Sequence, residues 1–396
     1  MIFVYEDEGF VNLQPLVHFR ATFDLLCGRR TLLHRLRRLY PRERVSLIVR
    51  PELADRAREL HPVNPVNMPK TLSRKSEPKL FISGRALLRK PIPVAGEKAI
   101  FTSGGELVGF RADPFRVPDG PIPEAHVRGW NLPTLEVEAA LVRYPWDIIA
   151  LTAAELTAEP LSRIPAPRIP GRANIIGKRY QLSMPPGAMI DPGATIDLRA
   201  GPVILDRGAE IRAGSVVAGP CYIGPRTIID GAMIRPGCAF GPDCRIGGEV
   251  EASVFLGYAN KHHEGFIGHS VIGEWVNLGA MTSNSDLRND YGEISVMMAG
   301  QSIETGLRKL GCIIGDHAKT AIGTMINTGT IIGIFANWFE PGLTPKTVPA
   351  FAWGSQRTWE LAAAIQTART VMARRGVVMT DSYEQLIRSY HNRLTR

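Results

Sequence analysis

From Ile190 onward, apolar side chains recur at every sixth position. Leu205, Ile211, Val217, Ile223 and Ile229 stand six apart, and Ile234, Phe240 and Ile246 continue the series after a slip of one residue. Ile272 and Leu278 keep the step, and Ile314, Thr320, Ile326, Ile332 and Trp338 carry it on. Small residues and Gly-Pro steps at 219–220, 224–225 and 241–242 fall between them. A helix would repeat every 3.6 residues and a half-buried strand every second one. A sustained period of six instead predicts a parallel β-helix. In that fold each flat face is a short strand with one apolar side chain pointing inward, and three faces make a coil of about 18 residues. Stacked coils bury a continuous core that no single coil could build. Residues 254–287 read as an interruption of this ladder by a loop rich in His, Asn and Lys, with a return through residues 274–280.

Residues 1–170 follow a different pattern. Short apolar runs at 2–5, 45–49, 80–82 and 99–101 suit strands buried on both faces. Residues 31–40 place Leu32, Leu33, Leu36, Leu39 and Tyr40 on one helical face with arginines opposite, and residues 145–159 also read as helix. The alternation predicts an α/β domain. Prolines at 160, 165, 167 and 170 predict a stiff linker. Beyond Pro349 the ladder stops. A helix at 356–375 with Leu361, Ile365, Ala368 and Met372 on one face, closed by Gly376, is followed by a second at 381–393. These helices are expected to cap the solenoid or meet a neighbouring subunit. The expected domains are therefore 1–170, 171–349 and 350–396.

Composition narrows the function classes. Hydrophobic content of 44% and charged content of 21% are those of a globular protein. No run of 18 apolar residues occurs, so no membrane span is expected. The acidic start, MIFVYEDEGF, lacks the basic head and long apolar run of a signal peptide, which makes a cytoplasmic location the default. Five cysteines without a C-x-x-C pair read as reduced, mostly buried thiols. The net charge of +9 suits phosphate-bearing ligands such as nucleotides, sugar phosphates or coenzyme A. No nucleic-acid motif accompanies that charge, so nucleic acid is not expected as a partner.

Several segments resemble one family: NLQPL at 12–16, GEV at 248–250, NKHHEGF at 260–266, GEWVNLGA at 273–280, NSDL at 284–287, IGDH at 314–317 and FAWG at 351–354. They are similar to the bifunctional sugar nucleotidylyltransferase/acetyltransferases, which form left-handed hexapeptide-repeat β-helices, in particular to their divergent bacterial branch. The resemblance implies a homotrimer that binds acetyl-coenzyme A between subunits, acetylates an amino-sugar phosphate such as glucosamine 1-phosphate, and forms a nucleotide sugar from a nucleoside triphosphate. It implies His263 as the catalytic base, Asn277 as a catalytic or substrate-binding amide, and Ala280 as the residue whose backbone N–H polarises the thioester. It further implies that Arg235, Lys261, Phe266, Asn284 and Asp286 contact the acceptor, and that Thr282, Lys319 and Thr324 contact the coenzyme. This sequence departs from the family in having Phe266 for a tyrosine, Met281 for a glycine, Gly268-His269 for a Gly-Asp step, and no lysine after Gly247.

For the N-terminal domain the resemblance implies nucleotide binding near Arg20, Gly28 and Arg29. The family's Gly-rich phosphate loop is replaced by the acidic residues 6–10, and its metal-binding Gly-Asp step reads Gly84-Arg85. Asp24 and Asp147 remain as candidate Mg²⁺ ligands. Three alternatives stay open: a nucleotide-binding scaffold without catalysis, histidines that merely line a polar loop, and a zinc lyase of the carbonic-anhydrase kind using His263, His269 and His317.

Overall fold

The computed structural model describes residues 1–69, 77–158, 161, 173–298 and 300–395. Apart from Leu161, the expected linker at 160–170 lies outside these residues. The chain divides into two compact units, Met1–Leu25 with Arg30–Asp147, and Leu26–Arg29 with Ile148–Arg396.

The first unit is built on a six-stranded sheet. Its order is Val45–Ile48, Ile2–Tyr5, Lys79–Ser83, Glu106–Ala112, Ala99–Ser103 and Thr134–Glu136. The first three strands run parallel, and Glu106–Ala112 is antiparallel to both of its neighbours. The four strands expected from apolar runs are present. The other two were not legible from the pattern: Glu106–Ala112 carries Gly109 and Arg111, and Thr134–Glu136 is exposed along its length. Gly109 is required there, because a Cβ would meet the Phe81 carbonyl oxygen at 2.4 Å. Phe3, Phe81 and Phe110 stack across three adjacent strands with centroids 4.7 Å apart at each step, which fixes their register. Helix Leu32–Leu39 starts at a Thr31 cap whose side chain accepts from the His34 N–H.

The second unit contains the predicted parallel β-helix. Its first face stacks six strands from Asn174–Ile176 to Phe266–Gly268, its second nine from Leu182–Ser183 to Thr347–Val348, and its third begins at Met189–Ile190. Neighbouring coils pair in parallel register, as in Val203–Leu205 with Cys221–Ile223 and Cys238–Phe240. The apolar residues of the six-step ladder line the core. All five cysteines are buried and unpaired with one another.

The ladder is not interrupted where the sequence suggested. Asn260–Lys261 and Phe266–Gly268 both sit in register on the coil below, and Lys261 occupies the core position above Ile246. The extra chain enters one coil later. On the second face Phe255 pairs with Ile272, 17 residues on, but Ile272 pairs with Ile314, 42 residues on. The difference holds an antiparallel hairpin, Ser295–Met298 with Gln301–Glu304.

One corner of the coil carries an aromatic column. Tyr258, Trp275, His317, Phe335 and Phe351 all have positive φ between 53° and 63°. Such a backbone costs on the order of 1 kcal/mol or more at a residue other than glycine. Stacking offsets it: Tyr258–Trp275 centroids are 4.1 Å apart, His317–Phe335 4.5 Å and Phe335–Phe351 5.1 Å. The C-terminal helices Leu361–Ala373 and Asp381–Leu394 follow, and the second packs against this column. Tyr383 bonds His317 Nε2 at 3.0 Å, and His391 meets the Phe351 ring edge-on at 4.8 Å. The first helix begins five residues later than expected, because Arg357–Thr358 pairs as a strand with Ala352–Trp353.

Candidate functional site

The third and first faces meet at residues 262–265, and the segment is an exposed corner rather than a long loop. His262 and His263 are exposed there, with rings 5.4 Å apart. His262 Nε2 bonds Asp230 Oδ2 at 2.9 Å, and that carboxylate also accepts from Arg212. The His262 hydrogen bond, acting against partial burial, holds the Asp230 carboxyl below the usual range, and Arg212 adds to the effect. Lys261 points the other way. It is 2% exposed, and its ammonium donates to the carbonyls of Gly247 at 2.9 Å and His263 at 2.8 Å. Burial pushes it down to about 8, partly opposed by Glu264. The coil geometry that puts every sixth side chain inside takes this lysine with it.

On the outside of the first face, Arg235 pairs with Glu249, and Glu249 lies beside Phe266 in register. Gly268 follows with no side chain, and the Phe266 ring and the Asp286 carboxylate come together over it: a Cβ on Gly268 would lie 2.5 Å from the ring and 2.7 Å from Oδ2. Asp286 Oδ2 bonds His269 Nδ1 at 2.7 Å, with both side chains largely buried. Burial raises the Asp286 carboxyl, but His269 and Lys309 outweigh it and hold it low. Asn284 is buried and spans Gly268, accepting from its N–H at 2.8 Å and donating to its carbonyl at 3.0 Å. Its amide thus takes the place of a strand. The Gly-Asp comparison and the zinc alternative both drew attention to His269 in the sequence, but no sequence signal showed that Asp286 would orient it.

On the third face, Asn277 is exposed and accepts from Asn260 Nδ2 at 2.8 Å, with Lys319 next in register. Thr282 and Thr324 are buried. Thr282 Oγ1 bonds Thr320 Oγ1 at 2.8 Å, and Thr324 donates to Ala321 O at 2.9 Å. Both hydroxyls therefore serve the turn between coils. Next to Thr282, the Ala280 carbonyl accepts from Gly323 at 2.8 Å. Within one chain the structure gathers Arg235, Phe266, Asp286 and His269 on the first face, and Asn277 with Lys319 on the third. His263 sits at the corner between the two groups.

In the first unit a cavity of about 560 Å³ lies beyond the ends of Ile2–Tyr5 and Lys79–Ser83, where parallel strands usually present ligand sites. Its entrance is internally paired. Arg85 Nε donates to Asp7 Oδ1 at 2.7 Å, and Ser83 Oγ donates to Asp7 Oδ2 at 2.7 Å. The Arg85 guanidinium lies against Gly9, 2.5 Å from where a Cβ would stand. The Arg-for-Asp replacement thus fills the site with a fixed cation of the protein's own. Arg20 is buried and donates to Leu16 O at 2.6 Å. Asp24 bonds His61 at 2.9 Å, and Asp147 accepts from the Arg143 and Tyr144 N–H groups at 2.7 and 2.9 Å. These two carboxylates are each occupied locally, and no group of three or more His, Cys, Asp or Glu among the described residues could hold a metal. Neither therefore offers a ready-made Mg²⁺ site. Zinc fits no better: His317 is fully buried in the aromatic column, away from the exposed His263. In the second unit Gly28 has positive φ, and its N–H donates to Thr152 Oγ1 at 3.3 Å; Arg29 beside it is half-buried.

Residues 2–161 match the family described as sugar nucleotidyl transferase. The N-terminal region is nucleotidyltransferase-like. A bifunctional sugar-1-phosphate nucleotidylyltransferase/acetyltransferase of Sulfurisphaera tokodaii is 39% identical over 156 residues, which span 37% of this chain and 38% of that protein. A bifunctional protein GlmU of Methanocaldococcus jannaschii is 34% identical over 104 residues, 26% of this chain and 25% of that protein. The similarity thus spans well under half the length of these relatives. Among solved structures, a Francisella novicida UDP-N-acetylglucosamine acyltransferase covers 56% of this chain and 76% of its own, at 15% identity and a TM-score of 0.27. No helix among the described residues is long and apolar enough to cross a membrane.

Proposed function

We propose that this chain is an acetyl-coenzyme A-dependent acetyltransferase for an amino-sugar phosphate, joined to a domain that binds or forms the corresponding nucleotide sugar. The observation that carries the reading is the open corner at His263, leading into the face that carries Phe266 and Arg235, in a chain similar to a protein named for both activities. The acceptor ammonium passes a proton to His263, and the freed amine attacks the thioester carbonyl. A C–N bond forms, the C–S bond breaks, and the coenzyme leaves as its thiol once protonated. The Ala280 N–H stabilises the oxyanion, and the Arg235 guanidinium grips the sugar phosphate in place of Glu249. The His269–Asp286 pair supports a second assignment of the base, since a carboxylate on Nδ1 fixes the ring as in other general-base pairs.

Because Arg235 and Asn277 lie on different faces of the β-helix and two coils apart, a site using both draws them from two copies of the chain, and a homotrimer supplies them. Acetyl-coenzyme A turnover with a panel of amino-sugar phosphates tests the reading. His263→Ala lowers turnover by about 10²–10⁴-fold if it is the base, and His269→Ala takes that loss instead if the second assignment holds. No effect of either variant defeats the acetyltransfer reading in favour of a binding scaffold. Mixing inactive Arg235→Ala and Asn277→Ala chains restores activity if the site is shared between copies.

A further inference from the structure

A cleft of about 300 Å³ opens between the third face of the β-helix and the end of helix Leu361–Ala373. Asn277 and Lys319 form its floor, and Arg374 and Arg375 close it from the helix end. Lys319 donates to the His317 carbonyl at 3.1 Å and lies 5.5 Å from the Trp359 ring. Among the described residues, no carboxylate forms an ion pair with Lys319, Arg374 or Arg375. Elsewhere on the same unit arginines are answered by acids: Arg226 by Asp243 at 2.6 Å, Arg212 by Asp230 at 2.9 Å, Arg388 by Glu384 at 2.6 Å. Three cations around one small cavity repel one another, and burial alone pushes Lys319 down to about 8. Burial and the nearby charge of Arg375 also lower Arg245. The Asn277 carbonyl oxygen is taken by Asn260, which turns its amide hydrogens to acceptor-bearing guests.

We infer that this cleft binds the diphosphate of a nucleotide-bearing ligand, coenzyme A or a nucleotide sugar. The volume holds a diphosphate, with the rest of such a molecule running outward over the surface. The negative end of the helix opposes an anion by roughly half a charge. Its last carbonyls are already engaged by the N–H groups of Arg375, Gly376 and Val377 at 2.9–3.1 Å, and three full positive charges outweigh the remainder. The choice between the two sources rests on the acetyltransferase reading; the diphosphate site does not.

The test is titration calorimetry on the full chain with inorganic pyrophosphate, coenzyme A and UDP-N-acetylglucosamine. The variants are Lys319→Met, the double Arg374→Ala/Arg375→Ala, and Arg308→Ala as an exposed-arginine control. Pyrophosphate is expected to bind, and to bind about 10- to 100-fold more weakly to the first two variants, with the control unchanged. Competition by coenzyme A assigns the cleft to the acyl donor, and competition by the nucleotide sugar alone assigns it to that ligand. Pyrophosphate that fails to bind, or binds the control and the cleft variants equally, overturns the inference even if acetyl transfer proceeds. Should Lys319→Met not fold, the double variant of surface arginines decides. Pyrophosphate that binds a wild-type protein showing no acetyl transfer, and is lost from the cleft variants, upholds the site and defeats the acetyltransferase reading.

Discussion

The cavity of the first unit and the cleft beside the β-helix are both polar, yet they treat charge in opposite ways. Around the first, cations meet anions of the same chain: Arg85 with Asp7, Arg143 with Glu106 at 3.1 Å, Arg128 with Glu124 at 2.5 Å. Below them Glu6, fully buried, accepts from the Arg50 guanidinium at 2.9 Å and from the Thr22 N–H at 3.0 Å; burial raises its carboxyl against the pull of Arg50. Around the second, Lys319, Arg374 and Arg375 have no such partners among the described residues. Paired charges hold a shape, whereas unpaired charges of one sign state what the site lacks. Asp7, Glu8, Glu106 and Glu124 around the first cavity oppose phosphate, so the N-terminal domain has a nucleotidyltransferase-like frame with a self-neutralised entrance. We predict weak or absent Mg²⁺-dependent pyrophosphorolysis of UDP-N-acetylglucosamine; robust turnover abolished by EDTA would contradict that.

The comparison breaks most directly at Arg50. Arg50→Ala leaves Glu6 buried without its cation and is expected to destabilise the first unit by about 3–5 kcal/mol. Urea unfolding measures this, and a loss under about 1 kcal/mol would mean that the pair is not holding the fold.

A second prediction uses pH. Lys261 is lowered from 10.5 to about 8 by burial. Between those values the unfolded chain keeps a proton that the folded protein has lost, so stability rises as pH climbs through the window. The rise is about 3 kcal/mol at most for this group. Lys319, lowered in the same way, adds to the same window. Lys261→Met should flatten the rise between pH 8 and 10.5 by about half, and an unchanged profile would mean the ammonium is solvated.

Third, Lys319→Met at pH 7 should leave stability unchanged or raise it by about 1 kcal/mol, since it removes a buried charge with no ionic partner. That sign is opposite to the one expected for Arg50→Ala, and thermal unfolding of the two variants side by side sharpens the contrast. The smallest effect belongs to Arg374→Ala. Its stability change should stay within about 0.5 kcal/mol, while the salt dependence of pyrophosphate binding becomes shallower.

Much of the architecture was legible in the sequence because it rests on local repetition. A side chain every six residues can be buried in one way only by a coil of three short faces, and Leu205, Ile223, Phe240 and Ile272 are indeed in its core. The same rule misled where chemistry and geometry parted. Lys261 looked like a loop residue because it is charged, yet its step in the ladder places it inside. The hairpin Ser295–Met298 with Gln301–Glu304 escaped because insertions leave no mark on the period of what flanks them.

By itself, then, the sequence determined the β-helix, the α/β character of the first unit and the two terminal helices, since periodicity, caps and turn residues act over a few neighbours. The tertiary structure decided what depends on residues far apart in the chain. It oriented His269 with Asp286 and filled the Gly9 entrance with Arg85, 76 positions on. It also laid the C-terminal helices along the side of the coils, because the stacked rings at Trp275, His317 and Phe335 offered them an apolar seam. That docking brings Arg374 and Arg375 beside Lys319, a meeting of charges that no local pattern could announce.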